Sequence, residues 1–212
     1  MILQRPDVRA SGRLARFSAL CPLVLASLTY ADVVAWDETT SGDISSNRLD
    51  PTRVGLVAGV NVIRGAMGPT AVPDVHDLDY ITVTVPEGHR LEALVLREAR
   101  VGGAFSFVGM QAGPVVTMLP DTQSFPTPLL GWAHFGSSDV GLDLSPVMGA
   151  APGAEGFTGP LPAGHYAFWI MELRTDEPYP YAFAFQVAPI PTPAAWFVGA
   201  IACVRGRRRT AR

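Results

Sequence analysis

Tyr80-Ile81-Thr82-Val83-Thr84-Val85-Pro86-Glu87-Gly88-His89-Arg90-Leu91-Glu92-Ala93-Leu94-Val95-Leu96 decides the fold class of this chain. Ile81, Val83 and Val85 alternate with Tyr80, Thr82 and Thr84, a period of two in β-branched residues, which predicts a strand with one face in the core. Pro86-Glu87-Gly88-His89 carries turn chemistry, because proline presets φ and glycine admits positive φ. A hairpin is therefore expected, with the chain resuming as a strand over 91–96. The same device recurs at Leu161-Pro162-Ala163-Gly164-His165, followed by Tyr166, Phe168 and Ile170 on one face and Trp169 and Met171 on the other.

Outward from these two segments the pattern repeats. Phe105 and Phe107 follow Gly102-Gly103, and Tyr181, Phe183, Phe185 and Val187 interleave with Ala182, Ala184 and Gln186. Residues 53–64 predict a strand pair broken at Ala58-Gly59, and glycine and proline interrupt every helical stripe. The stretches 119–129 and 145–162, rich in Pro, Gly or Ala, are expected as surface loops. Short strands with two apolar faces predict an all-β fold: a two-sheet, antiparallel, jelly-roll-like β-sandwich over residues 32–188.

Both ends have the composition of processing segments. Arg5, Arg9, Arg13 and Arg16 precede an apolar stretch at 17–28, and small residues Thr29 and Ala31 flank Tyr30. This is the order of a secretory signal over 1–31, forming a helix, with cleavage by a signal peptidase between Ala31 and Asp32. The stretch is short for a span of about 20 residues and contains Pro22. Cys21 lies inside the apolar region behind Leu20, which does not suit a lipidated cysteine. At the other end Pro191-Thr192-Pro193 precedes an apolar run at 194–204, expected as a short helix, and then Arg205, Arg207, Arg208 and Arg209. An apolar run stopped by arginines is a stop-transfer pattern that engages the membrane before processing.

Residues 189–212 thereby resemble the PEP-CTERM sorting signal of exosortase-processed bacterial proteins, with Thr192 at the position of that signal's glutamate. The resemblance implies an exosortase-type processing enzyme as partner and a place in the envelope or extracellular matrix of a bacterium.

Removing both ends exposes a charge that the whole-chain value of −3 hides. Residues 32–189 hold 18 acids against 7 arginines, a net −11. Such a body repels phosphate backbones and lacks the basic footprint of a nucleic-acid binder. The two cysteines, Cys21 and Cys203, fall in the end segments, so the body has no disulfide framework and must be stabilised by its core.

The densest acidic cluster is Asp74-Val75-His76-Asp77-Leu78-Asp79-Tyr80, just before the leading strand. Carboxylates at such a turn suit a calcium ion, with Asp77 and Asp79 as ligands and Asp37, Glu38 and Asp43 completing a shell if the N-terminal segment comes alongside Tyr80. The competing reading is a solvated turn with an Asx cap, since the glycine and terminal glutamate of an EF-hand loop are missing.

Asp77-Leu78-Asp79-Tyr80, the following Thr and Val alternation, Pro86-Glu87-Gly88 and the late Leu161-Pro162-Ala163-Gly164-His165-Tyr166 resemble the bacterial pre-peptidase C-terminal domain. That family implies a secreted β-sandwich, calcium in some members, and contact with a polymeric substrate. The stretch around Asp37 and Glu38 lacks the Pro-Asn-Asp of the calcium-binding members.

Catalytic motifs are weaker. His76, His89, His134 and His165 are scattered, no Gly-x-Ser-x-Gly elbow occurs, and the body has no thiol. Asp139 and Asp143 form a glycosidase pair only if geometry sets their separation. Trp132, Phe135 and Trp169 are read as core aromatics, with a polymer-binding face as the alternative. The chain is thus expected to be an exported, non-enzymatic structural or binding protein, facing an extracellular polysaccharide or protein. The alternatives are an accessory or catalytic domain of a secreted hydrolase acting on an extracellular polymer, and a calcium-dependent adhesin.

Overall fold

The computed structural model describes residues 31–72, 75–100, 106–120, 126–173 and 176–191. The expected signal helix over 1–30, the apolar helix and arginines beyond 191, and Asp74 lie outside the described residues. In chain order the elements are β1 (Val33–Asp37), α1 (Glu38–Ser41), β2 (Thr52–Gly55), β3 (Gly59–Pro69), β4 (His76–Asp77) and β5 (Asp79–Ala99). Then follow β6 (Ser106–Ala112), β7 (Gly131–Phe135), a 3-10 turn at Ser137–Asp139, α2 (Ser145–Gly149), β8 (Leu161–Met171) and β9 (Tyr179–Pro189). The fold is all-β.

The strands join one mixed sheet in the order β1-β3-β9-β5-β8-β6-β7, with β2 on β5 and β4 on β3. This corrects the expectation of a purely antiparallel arrangement: β1 runs parallel to β3 and β2 parallel to β5. Periodicity along a strand reports its two faces and carries no information on the direction of its neighbour. The predicted 53–64 strand pair is likewise two strands that do not pair with each other. β2 bonds to β5, whereas β3 lies between β1 and β9.

A second correction concerns the hairpin. Pro86-Glu87-Gly88-His89 does not reverse the chain onto itself; β5 runs through it for 21 residues. The first half of β5 pairs with β8, from Asp79 opposite Ile170 to Val85 opposite Gly164, and the second half pairs with β9, from His89 opposite Pro189 to Ala99 opposite Tyr181. Between Val85 and Arg90 the register with β8 breaks, where Pro86 lacks an amide hydrogen and Gly88 adopts φ 72°. The other supposed turn lies directly across: Gly164 faces Val85 and Pro162 faces Arg90. Two apparent turns are the two sides of one break in a ladder.

The break has a large effect on packing. Phe168 is opposite Ile81 and Phe185 opposite Leu94. Those two β5 positions would stand about 40 Å apart on a straight strand. Yet the rings of Phe168 and Phe185 meet edge to face at 5.3 Å. β5 therefore bends between Ile81 and Leu94, which brings the β8 and β9 residues that flank its two halves into one core. The main core draws on both halves, including Val83, Leu96, Val108, Phe135, Ile170 and Phe183. Phe135 and Trp169 are buried, as their reading as core aromatics requires, and Trp132 is half-buried.

The 145–162 stretch differs from a plain loop at both ends. Pro146 sits in the first turn of α2, where its missing amide hydrogen costs nothing, and Leu161 already belongs to β8. Among the described residues no helix is long and apolar enough to cross a membrane.

Candidate functional site: a carboxylate cluster around buried Asp79

The N-terminal segment folds back along the start of β5, where the amide of Tyr80 donates to Ser45 O at 2.9 Å. That contact brings Glu38 and Asp43 toward Asp77 and Asp79. Asp79 opens β5 with no solvent exposure; its Oδ2 accepts a 2.7 Å hydrogen bond from the Tyr181 hydroxyl. Its Oδ1 is buried and has no hydrogen-bond partner among the described residues.

Tyr181 reaches Asp79 across β3, where its partner is Gly65. A Cβ at position 65 would lie 2.6 Å from the Tyr181 hydroxyl oxygen. Glycine at that position is what lets the phenol through.

Glu38 ties the segment down. One carboxylate oxygen accepts from the Ile44 amide at 3.0 Å and the other from the Ala66 amide on β3 at 2.7 Å. Asp77 accepts from the Ser46 hydroxyl at 2.9 Å. Asp37 faces elsewhere: it caps α1 by accepting from the Thr39 amide at 3.0 Å and the Thr39 hydroxyl at 2.6 Å, and Arg64 lies 3.8 Å away.

Proton affinities follow these surroundings. Burial foremost, with the neighbouring Glu38 charge adding to it and the Tyr181 hydroxyl opposing it, pushes Asp79 up to about 9. Burial likewise raises Glu38 and Asp77, and Asp43 adds repulsion to both. Tyr181 is raised well above the usual phenol value by burial and by Asp79. Asp37 is lowered, first by the Thr39 hydroxyl and then by the Thr39 amide. At neutral pH Asp79 is therefore a neutral acid, held so by desolvation and by its acidic neighbours.

Such a cluster has the chemistry of a hard cation site. The observation that fits calcium is the orphaned, buried Oδ1 of Asp79 among Glu38, Asp43 and Asp77, all oxygen donors. Among the described residues no three His, Cys, Asp or Glu side chains already converge as a metal-binding group. Calcium draws its six to eight oxygens from backbone carbonyls and water as well, so these carboxylates would form part of a shell.

Other predicted positions are dispersed. Ala31 and Asp32 are exposed ahead of β1, with Asp32 3.9 Å from Arg97, and Pro191 is exposed after β9. Thr192, Pro193, Arg207, Arg208 and Arg209 lie outside the described residues. Asp139 accepts from the Gly136 amide at 2.9 Å, and Asp143 accepts from the amides of Leu94 and Ser145 at 3.1 and 3.0 Å. These two acids brace backbone. His89 bonds Glu87 O, His165 meets the Thr84 hydroxyl and His134 lies 3.3 Å from Ser106 O.

Sequence reading missed Tyr181 as a member of the cluster. Its signal was the only hydroxyl-tipped aromatic within the run Tyr181, Phe183, Phe185 and Val187. Comparison with protein-family models and with curated protein sequences finds no match.

Proposed function

We propose that this chain is an exported, non-enzymatic β-sandwich protein of the bacterial envelope or matrix, with a structural or binding role and a calcium-responsive clamp at its N-terminal segment. The observation that carries the reading is the buried Asp79 Oδ1, without a partner among the described residues and surrounded by carboxylates that fasten residues 38–46 to β3 and β4. A calcium ion would displace the Asp79 proton, supply the missing partner for that oxygen and offset the repulsion that the ionised Asp79 would otherwise meet from Glu38, Asp43 and Asp77. The sandwich reading rests on the contact of Phe168 with Phe185 and on a core shared by both halves of the sheet. Resemblance of 189–212 to an exosortase-recognised tail, and of 1–31 to a secretory signal, supports export and sorting, with a signal peptidase and an exosortase-type enzyme as the processing partners.

Melting the purified chain with calcium and with chelator tests the clamp. Calcium should raise Tm by several degrees, since a hundredfold excess over Kd contributes about 2.7 kcal/mol. The rise should be larger at pH 8 than at pH 5, because the ligands must lose protons to bind. Identical melting curves would remove calcium from the proposal. Fractionating cells that express the full chain or a version ending at Pro189 tests sorting, and equal release of both would remove the tail's role.

A further inference from the structure

A row of aromatic rings crosses the face of the sheet opposite the main core. Tyr80 on β5 stacks on Trp169 of β8 at 6.3 Å, Trp169 meets Phe107 of β6 edge-on at 5.0 Å, and Phe107 stacks on Trp132 of β7 at 6.1 Å with 24° between planes. The first three are buried and Trp132, at the sheet's margin, is half open. Its indole N–H donates to Pro152 O at 3.2 Å. One ring face and one edge are therefore fixed, which sets the plane of the ring before anything binds.

Beyond Trp132 lies an open hollow of about 460 Å³, walled by His134, Pro146, Val147, Ala150 and Pro152. Val147 is 61% exposed there. A second hollow of about 490 Å³ shares the walls Pro146 and Ala150 and carries Glu92, Asp143 and Phe157. The two hollows are neighbours on either side of α2. An added strand is blocked beside this part of β7: the Met148 carbonyl presses on Gly131, where a Cβ would lie 2.3 Å from it, and Pro152 reaches round to Trp132.

The ligand chemistry follows from the two halves. A rigid indole with flat apolar walls suits the C–H face of a pyranose ring, and its fixed orientation reduces the entropy lost on binding. Glu92 and Asp143 lie in a body of net charge −11 and favour a cation. Glu92 is ion-paired with Arg90 at 2.6 Å and Asp143, among the described residues, accepts only backbone amides, so both carboxylates are held in place and the charge left uncancelled in the hollow is that of Asp143. A neutral sugar satisfies only the first hollow, and a basic peptide only the second. We propose that the paired hollows flanking α2 bind an amino-sugar polymer bearing free ammonium groups. This site is separate from the carboxylate cluster and does not depend on calcium there.

Titration of the purified full chain, in chelator and again in calcium, compares hexamers of glucosamine, N-acetylglucosamine and glucose with hexalysine, following tryptophan fluorescence and heat. Glucosamine hexamer should bind tightest under both conditions. Trp132→Ala should weaken it by roughly tenfold, as expected for losing an aromatic platform. Val147→Arg, at an exposed position that needs no refolding of the core, should weaken it at least as much by filling the hollow with a like charge. Asp143→Asn should weaken glucosamine by about threefold and Glu92→Gln by less, since Arg90 already offsets that charge, and neither should change N-acetylglucosamine. Absence of glucosamine binding, equal binding of the glucose hexamer, or hexalysine binding that Val147→Arg abolishes would each overturn the proposal, the last by reassigning the site to a basic peptide.

Discussion

The Tyr181 hydroxyl donates to Asp79 Oδ2 at 2.7 Å, joining β9 to the first residue of β5 across Gly65 of β3. This bond, together with Glu38 on the Ala66 amide, fastens the N-terminal segment and three strands at one buried acidic point.

Stability should fall as pH rises. Asp79 binds its proton up to about pH 9 in the folded chain, whereas an unfolded aspartate releases it near 3.8. Between those values the native state holds the extra proton, so without calcium unfolding becomes easier by up to roughly 1.4 kcal/mol per pH unit. Glu38 and Asp77, also raised, act in the same direction. Denaturant titrations from pH 4 to 9 in chelator should trace this slope, and Asp79→Asn should flatten it. An unchanged slope in that variant would exclude Asp79 as the source.

Gly65→Ala should destabilise the fold by about 1–3 kcal/mol, as overpacking of a full interior does. The new methyl would sit on the Tyr181 hydroxyl and displace it. Tyr181→Phe leaves the ring in place and removes only the hydroxyl, leaving both oxygens of Asp79 without a partner. Denaturant midpoints should rank the wild type above both variants.

Glu38→Gln should lower stability by about 1–3 kcal/mol, because one of two half-buried amides loses its charged acceptor. Hydrogen exchange at Ile44 and Ala66 reads this directly. Faster exchange at those amides, with β8 unchanged, is the expected result; uniform protection would mean that Glu38 does not hold the segment.

Phe168→Ala and Phe185→Ala should each cost about 3–5 kcal/mol. Their double-mutant cycle should show a coupling of roughly 0.5–1.5 kcal/mol, since the rings touch only if β5 bends. Additive losses would contradict the contact between the two rings.

Much of the architecture was legible in the alternation of residues 80–85, 166–171 and 181–187, which form central strands. Partner choice was not. Pro86 and Gly88 carry the same chemistry whether a chain reverses or merely leaves its ladder, and the decision came from β8 and β9, about 70 and 90 residues further on, which claim different halves of β5. Parallel neighbours leave no short-range mark either. The cluster was half legible: Asp77, Asp79, Glu38 and Asp43 come together, while Asp37 turns away to cap α1. Tyr181 stayed hidden because its partnership with Asp79 depends on the missing side chain of Gly65.

β9 lies between β3 and β5, and β8 lies between β5 and β6. The strands that bridge β3 to β5 and β5 to β6 are thus encoded near the end of the chain. A ribosome must release residue 189 before β3 and β5 can be bridged, so the middle of the sheet stays open through most of synthesis. Such late closure leaves a threadable chain for as long as translocation would need one.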